Sequence, residues 1–289
     1  MLTFAMKETR GDCPACGYPN TYSETIGKNG RRIGWCASCQ DKEAIRAHLR
    51  GAGGDDRRAV GRRAIDSEKA TREAEKRTQA AAAIWSGAAP VTARDPAGKY
   101  LVRRGLGHLI GNPALRYRED MAHPYERGSY HALVAAVQSA AGGLVAVHRT
   151  YLTPDGVKAC LDVAKASKGP VAGGAIRLAP AAPEIIIGEG IESAASAGLL
   201  LGLPAWAAIS AGNLATGLIL PPEVRSVVIA ADDDGVNRQG RNPGIEAAKA
   251  AAARWQAERR SVRIIKPEKP GTDFNDILQA REAGKAVAG

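Results

Sequence analysis

Residues 184–192, EIIIGEGIE, and 226–234, SVVIAADDD, decide how this chain is read. Each is a short apolar run that ends in acid: Glu189 lies just past the first, and Asp232, Asp233 and Asp234 close the second. Working outward, EIIIG (184–188) is followed by a helical pattern from about 190 to 201, and AWAAIS (205–210) by a short helix. SVVIAAD (226–232) is followed by an Ala-rich helix at 243–260, and SVRIIK (261–266) by a last helix opening at Asp273. Four short apolar strands alternating with helices predict a four-stranded parallel sheet flanked by helices and joined by right-handed crossovers. Ligands on such sheets sit beyond the carboxyl ends of the strands.

The acids fall at that edge. Side chains alternate along a strand, so Asp232 and Asp234 are expected to point together with Asp233 turned away. With Glu189 they form an oxygen set suited to Mg²⁺ or Mn²⁺, which takes carboxylates and keeps waters that phosphate oxygens replace. Asp273 and Asp276, after the fourth strand, reach the same edge. Asp273 is read both as a helix N-cap and as a further metal ligand, and Glu192 as an ordinary first-turn acid.

The rest of the chain divides by composition. Cys13-Pro-Ala-Cys16 and Cys36-Ala-Ser-Cys39 are separated by 19 residues that carry a turn signal, Lys28-Asn29-Gly30-Arg31. Two such knuckles joined by a hairpin set four thiolates for a tetrahedral ion, as in a zinc ribbon at 1–50 whose stability comes from the metal. Cys160 is left over as an inert thiol. Residues 51–58, GAGGDDRR, read as a flexible break and 59–85 as helix, so 51–90 is a linker. Lys99 to Leu106 ends a helix, and 132–137 and 144–151 read as a hairpin over Gly142-Gly143, within an α+β subdomain at 91–180. The parallel sheet occupies 181–289, making the whole an α/β multidomain protein.

The 289 residues are 45% hydrophobic but only 4% aromatic, which suits Ala, Val, Ile and Leu helices packed on a parallel sheet and disfavours an aromatic-rich sandwich. No run reaches the roughly 20 apolar residues of a membrane span, and the start turns charged too early for a secretory signal, so a cytoplasmic protein without membrane contact is expected. The net charge of +10 is uneven. Residues 1–90 carry 16 basic and 11 acidic groups, 91–180 carry 12 and 6, and 181–289 carry 12 and 13. A basic front suits a polyanion, and the acidic back suits divalent metal.

Glu-Gly-Ile-Glu after one strand, Asp-Asp-Asp after a later one, Gly244-Ile245-Glu246-Ala247-Ala248 opening a helix and then Asp-Phe-Asn-Asp resemble the Toprim domain of primases and topoisomerases. Upstream, 143–152 (GLVAVHRTYL), Lys158 and Lys168-Gly169 resemble the basic subdomain that precedes Toprim in bacterial and phage primases. The order zinc ribbon, basic subdomain, Toprim is that of a DNA primase, and most closely resembles the phage and plasmid type. The resemblance implies template-directed joining of ribonucleoside triphosphates on single-stranded DNA. Glu189, Asp232 and Asp234 are then the catalytic acids and hold Mg²⁺ or Mn²⁺ with Asp273, and Cys13, Cys16, Cys36 and Cys39 hold zinc. Arg149, Lys158, Lys168, Arg103 and Arg104 line the path of nucleotide and template. Primase ribbons often include a His ligand, whereas this one offers four Cys. No helicase segment follows the Toprim-like region at 181–289, so a replicative helicase is expected as a separate partner. The acids alone leave two alternatives open, a Toprim metal-dependent endonuclease and a non-catalytic recombination mediator that binds DNA.

Overall fold

The computed structural model describes residues 9–26, 32–50, 59–233, 235 and 240–288. The chain divides into two compact units, residues 1–69 and 70–289. The turn signal at 28–31 and the break at 51–58 lie outside the described residues.

The first unit is an antiparallel sheet of β1 (Thr9–Gly11), β2 (Tyr22–Ile26) and β3 (Arg32–Cys36), followed by α1 (Lys42–Arg50). Asp41 caps α1, its Oδ1 accepting from the Glu43 and Ala44 amides at 3.0 and 2.9 Å. Cys13, Tyr22, Cys36 and Ile45 are the buried residues of its small core. Helix α2 (Ala59–Ser86) runs from this unit into the second.

In the second unit, β4 (Ala89–Pro90), α3 (Pro96–Arg103), β5 (Leu115–Ala122), β6 (Ser129–Gln138), β7 (Leu144–Leu152) and β8 (Lys165–Lys168) follow in order. The five strands form one antiparallel sheet in sequential order. The expected hairpin is β6–β7, with β6 extended at both ends and β7 by one residue beyond the apolar stretches. Alternation gives the sheet two different faces. Val147 and Tyr151 pack with Ala81, Ile84 and Trp85 of α2. Ala146 and Leu152, on the other face, join the core shared with the parallel sheet.

That second sheet contains β9 (Ile176–Arg177), β10 (Glu184–Gly188), α4 (Ile191–Leu201), β11 (Ala205–Ala207), β12 (Ser226–Ala230), α5 (Pro243–Ala257), β13 (Ser261–Ile265) and α6 (Phe274–Ala288), with its strands ordered β13-β12-β10-β11-β9. Four strands are parallel, as predicted. The fifth, β9, pairs antiparallel with β11 and extends the predicted four-stranded sheet. A two-residue strand carries too little periodicity to be seen in sequence. The register aligns Gly188 with Ala230 and Ala230 with Ile265, so the segments after β10, β12 and β13 leave the sheet at one edge.

Close packing fixes α4 and α5 against that edge. A Cβ on Gly188 would stand 2.8 Å from the Ala194 amide nitrogen, and one on Gly244 2.4 Å from the Asp232 carbonyl oxygen. Glycine therefore lets each helix start directly on the strand end that carries the acids.

Candidate active site

A cleft of about 220 Å³ opens at this edge. From the parallel sheet it receives Glu189, Glu192, Asp232 and Asp273, and from the antiparallel subdomain Arg104, His148, Lys158 and Lys165. Acids from the parallel-sheet region thus face cations from the antiparallel subdomain.

The acids are placed by different devices. Glu189 follows β10, and its carbonyl accepts from the Ile209 amide at 2.7 Å. Ile209, which also lines the cleft, has φ of +79°, a strained conformation for a β-branched residue. Asp232 lines the cleft with one carboxylate oxygen buried. Its neighbour Asp233 turns away and pairs with Lys266 at 2.9 Å and with Asn242 Nδ2 at 2.7 Å, as strand alternation predicts. Asp234 lies outside the described residues. Asp273 and Asp276 cap each other's amides at 3.1 and 2.8 Å. Asp273 nevertheless lines the cleft, whereas Asp276 is exposed.

The cationic side differs from the sequence reading. Lys158 and Arg104 are in the cleft. Arg104 donates to Asn275 Oδ1 at 3.3 Å, and Asn275, fully buried, donates back to the Arg104 carbonyl and to Ser196 Oγ, which ties α3, α4 and α6 together. Arg149 is not among the cleft residues. It is buried on the α2 face of β7, where it donates to the Ala166 and Ser167 carbonyls of β8. Lys168 is exposed and outside the cleft, and Arg103 is exposed with its Nε on the Asp155 carbonyl. Their places in the cleft are taken by His148 and Lys165, one and three residues earlier. The physical reason is the two-residue period of β7 and β8, which turns a neighbouring side chain to the opposite face.

Glu192 is the residue whose surroundings sequence reasoning missed most fully. It is 8% exposed. Its Oε1 lies 2.9 Å from Lys165 Nζ and accepts from the Tyr100 hydroxyl, and its Oε2 accepts from Lys165 at 3.0 Å. Burial alone would raise this carboxyl, but Lys165 and Tyr100 outweigh it and hold the group at about 2. Burial, the Glu192 charge and its hydrogen bond raise the Tyr100 hydroxyl well above its ordinary range. Burial, with Lys165 adding to it, lowers His148 to about 3, so its imidazole is neutral, with Nδ1 3.0 Å from Ser167 Oγ. Burial and Lys165 likewise lower Lys158.

In the first unit the cysteines converge. Cys13 and Cys39 sulfurs are 3.8 Å apart, as are those of Cys16 and Cys36. A tetrahedral ion with metal–sulfur bonds of about 2.3 Å separates its sulfurs by about 3.8 Å, so the spacing is compatible with structural zinc. Among the described residues these thiols are the one set of three or more His, Cys, Asp or Glu ligand atoms lying mutually within 4.8 Å. Glu189, Asp232 and Asp273 share the cleft without closing to that spacing as a trio. Cys160 is exposed and apart from the cluster.

A parallel sheet with acids after its first and third strands, beside an antiparallel basic subdomain, defines an α/β protein with an acid-lined sheet edge. Residues 184–284 match the Toprim domain, so this part of the chain is a Toprim domain, and the α/β fold class expected from sequence is borne out. Residues 75–178 match a family described as a domain of unknown function, DUF7146. No curated protein matches the chain. Among solved structures, the chain is similar to the primase fragment of the bacteriophage T7 primase-helicase protein, at 13% identity and a TM-score of 0.43 over 98% of this chain and 100% of that one. It is similar to the E. coli primase catalytic core, at 15% identity and 0.43 over 66% and 71%, and to the zinc-binding and RNA polymerase domains of the Aquifex aeolicus primase, at 12% and 0.39 over 99% and 80%. Among the described residues no helix is long and apolar enough to cross a membrane.

Proposed function

We propose that the protein is a DNA primase, a nucleotidyltransferase that joins ribonucleotides on a single-stranded DNA template. The observation that carries this is the single cleft in which Toprim acids Glu189, Asp232 and Asp273 face Arg104, Lys158 and Lys165. We divide the chain accordingly into a zinc ribbon (1–50), a linker (51–90) whose α2 C-terminal half and β4 pack with the subdomain that follows, a basic subdomain (91–180) and a Toprim domain (181–289). The separate helicase and a cytoplasmic location belong to the same proposal.

The carboxylates are hard oxygen donors, and Mg²⁺ is commonly held by one or two carboxylates with waters and substrate phosphates completing its shell, so the wider spacing fits it. Glu189 and Asp232 would hold the ion, with Asp234 and Asp273 as further ligands; bound there, it would neutralise charge developing on the phosphate. The chain's own part is positioning. Arg104, Lys158 and Lys165 balance the triphosphate, while the glycine contacts under α4 and α5 let each helix start at the strand end that carries the acids. Zinc in the four-Cys cluster would brace the ribbon.

The test is incubation with single-stranded DNA, ribonucleoside triphosphates and Mg²⁺ or Mn²⁺. New short labelled RNA supports the proposal. Shortened template would replace it with the endonuclease reading, and bound but unaltered DNA with that of a mediator.

A further inference from the structure

Beyond the acids and cations, the cleft contains a buried charged device that metal binding does not require. Glu192 sits in the first turn of α4, a helix whose residues Ile191 to Gly198 are all buried and which therefore has no freedom to follow a side chain outward. Its carboxylate is straddled by Lys165 Nζ at 2.9 and 3.0 Å, and the Tyr100 hydroxyl donates to it from α3. Three elements, α3, α4 and β8, thus converge on one carboxylate, which in turn fixes the ammonium. An ammonium has three N–H donors. Two are taken by Glu192, and the Lys165 side chain remains 33% exposed, on the wall of the cleft that also holds Glu189 and Asp232. A flexible lysine normally gives up side-chain entropy when it grips a ligand. Here that entropy is already spent by the buried carboxylate.

We infer that Glu192 and Tyr100 are positioning residues that hold the Lys165 ammonium in place to receive an anionic phosphate oxygen of the incoming ribonucleoside triphosphate. The inference rests on the primase reading and deepens it by assigning the orientation of Lys165 to two residues, Glu192 and Tyr100, that act through it. A pair kept only for stability would matter to folding alone, and this difference is measurable.

The experiment compares wild type with Lys165→Ala, Glu192→Gln, Glu192→Asp, Tyr100→Phe and the double variant Lys165→Met/Glu192→Gln. For each we would read KM for ATP and kcat in primer synthesis, equilibrium binding of ATP, and Tm. Lys165→Ala, Glu192→Gln and Tyr100→Phe are expected to raise KM about tenfold while kcat changes less, and Glu192→Asp to recover part of the loss. The double variant replaces the pair by neutral groups and is expected to regain Tm while KM stays raised. Tyr100→Phe, nearly isosteric, keeps the test meaningful should Glu192→Gln fold poorly. Normal KM in Tyr100→Phe and the double variant overturns the positioning role and leaves the primase reading intact. A wild-type chain that makes no primer yet binds ATP, with the same ranking of variants, overturns the primase reading and keeps the role of Lys165.

Discussion

Asp232 and Asp233 are neighbours on the chain and have opposite tasks: one lines the cleft and the other braces Lys266 and Asn242. Substituting the cleft acids should therefore affect chemistry more than folding. Glu189→Gln or Asp232→Asn is expected to lower primer synthesis about 100-fold or more, with single-stranded DNA binding within a few-fold of wild type. Undiminished synthesis by both variants, measured with labelled ribonucleotides, would remove the metal-site assignment. His148 makes a second prediction. Its folded value of about 3 lies below the ordinary value near 6.5, so between these the unfolded chain binds more protons. Its contribution is complete above pH 6.5 and is lost as pH falls toward 3. Lys165 and Arg149 disfavour its charged form and Glu192 favours it. Glu192, held at about 2, loses its own contribution only as pH drops below about 4.5 and through 2. Denaturant titrations at pH 7.5 and 5 should show wild type losing about 1–2 kcal/mol more than His148→Gln; equal losses would argue against the buried neutral imidazole. None of this could be read from residues 148 and 149 alone, since both are polar and strand alternation leaves open which face meets the cleft.

At the scale of elements, β10 and α4 were legible because apolar run, acid and glycine follow one another within a few residues. Their contact is tighter than pattern reading shows. Gly188→Ala would force the new methyl against the Ala194 backbone and push α4, with Glu192, away from the strand. A destabilisation of about 1–3 kcal/mol is expected, read as a lower Tm and a reduced denaturant midpoint; an unchanged midpoint would mean that α4 is not pinned at this glycine. The antiparallel strands were less legible. The β6–β7 hairpin was found through Gly142-Gly143, but β4, β8 and β9 are two to four residues long and exist through partners distant in sequence. The resemblance to the basic subdomain rests on Lys168-Gly169, a turn feature that says nothing about the face the lysine occupies.

For the whole molecule, the division at residues 69 and 70 gives the cysteine cluster its own unit. A unit whose core, among the described residues, contains four buried residues, two of them cysteines, has little apolar area to stabilise it, so bound metal should dominate its stability. Chelation, or Cys36→Ser, is expected to release about one zinc per chain and to open residues 9–50 to proteolysis, with the Tm of 70–289 unchanged. Zinc measured by a colorimetric chelator and a proteolysis time course would check this; retention of metal by Cys36→Ser would exclude the four-thiolate site. If the proposed primase uses its ribbon in starting synthesis, Cys36→Ser weakens initiation more than extension; equal loss in both steps would argue for a purely structural ribbon.

By itself the sequence determined the parallel sheet, the edge where its acids collect and the four-thiolate cluster, because each depends on spacing within one short segment. The tertiary structure alone decided which cations meet those acids. Lys165, His148, Tyr100 and Glu192 lie far apart along the chain, and their meeting depends on which face of β7 and β8 packs against α4. That choice is set by apolar partners on both sides of the sheet, a long-range balance that no local pattern records.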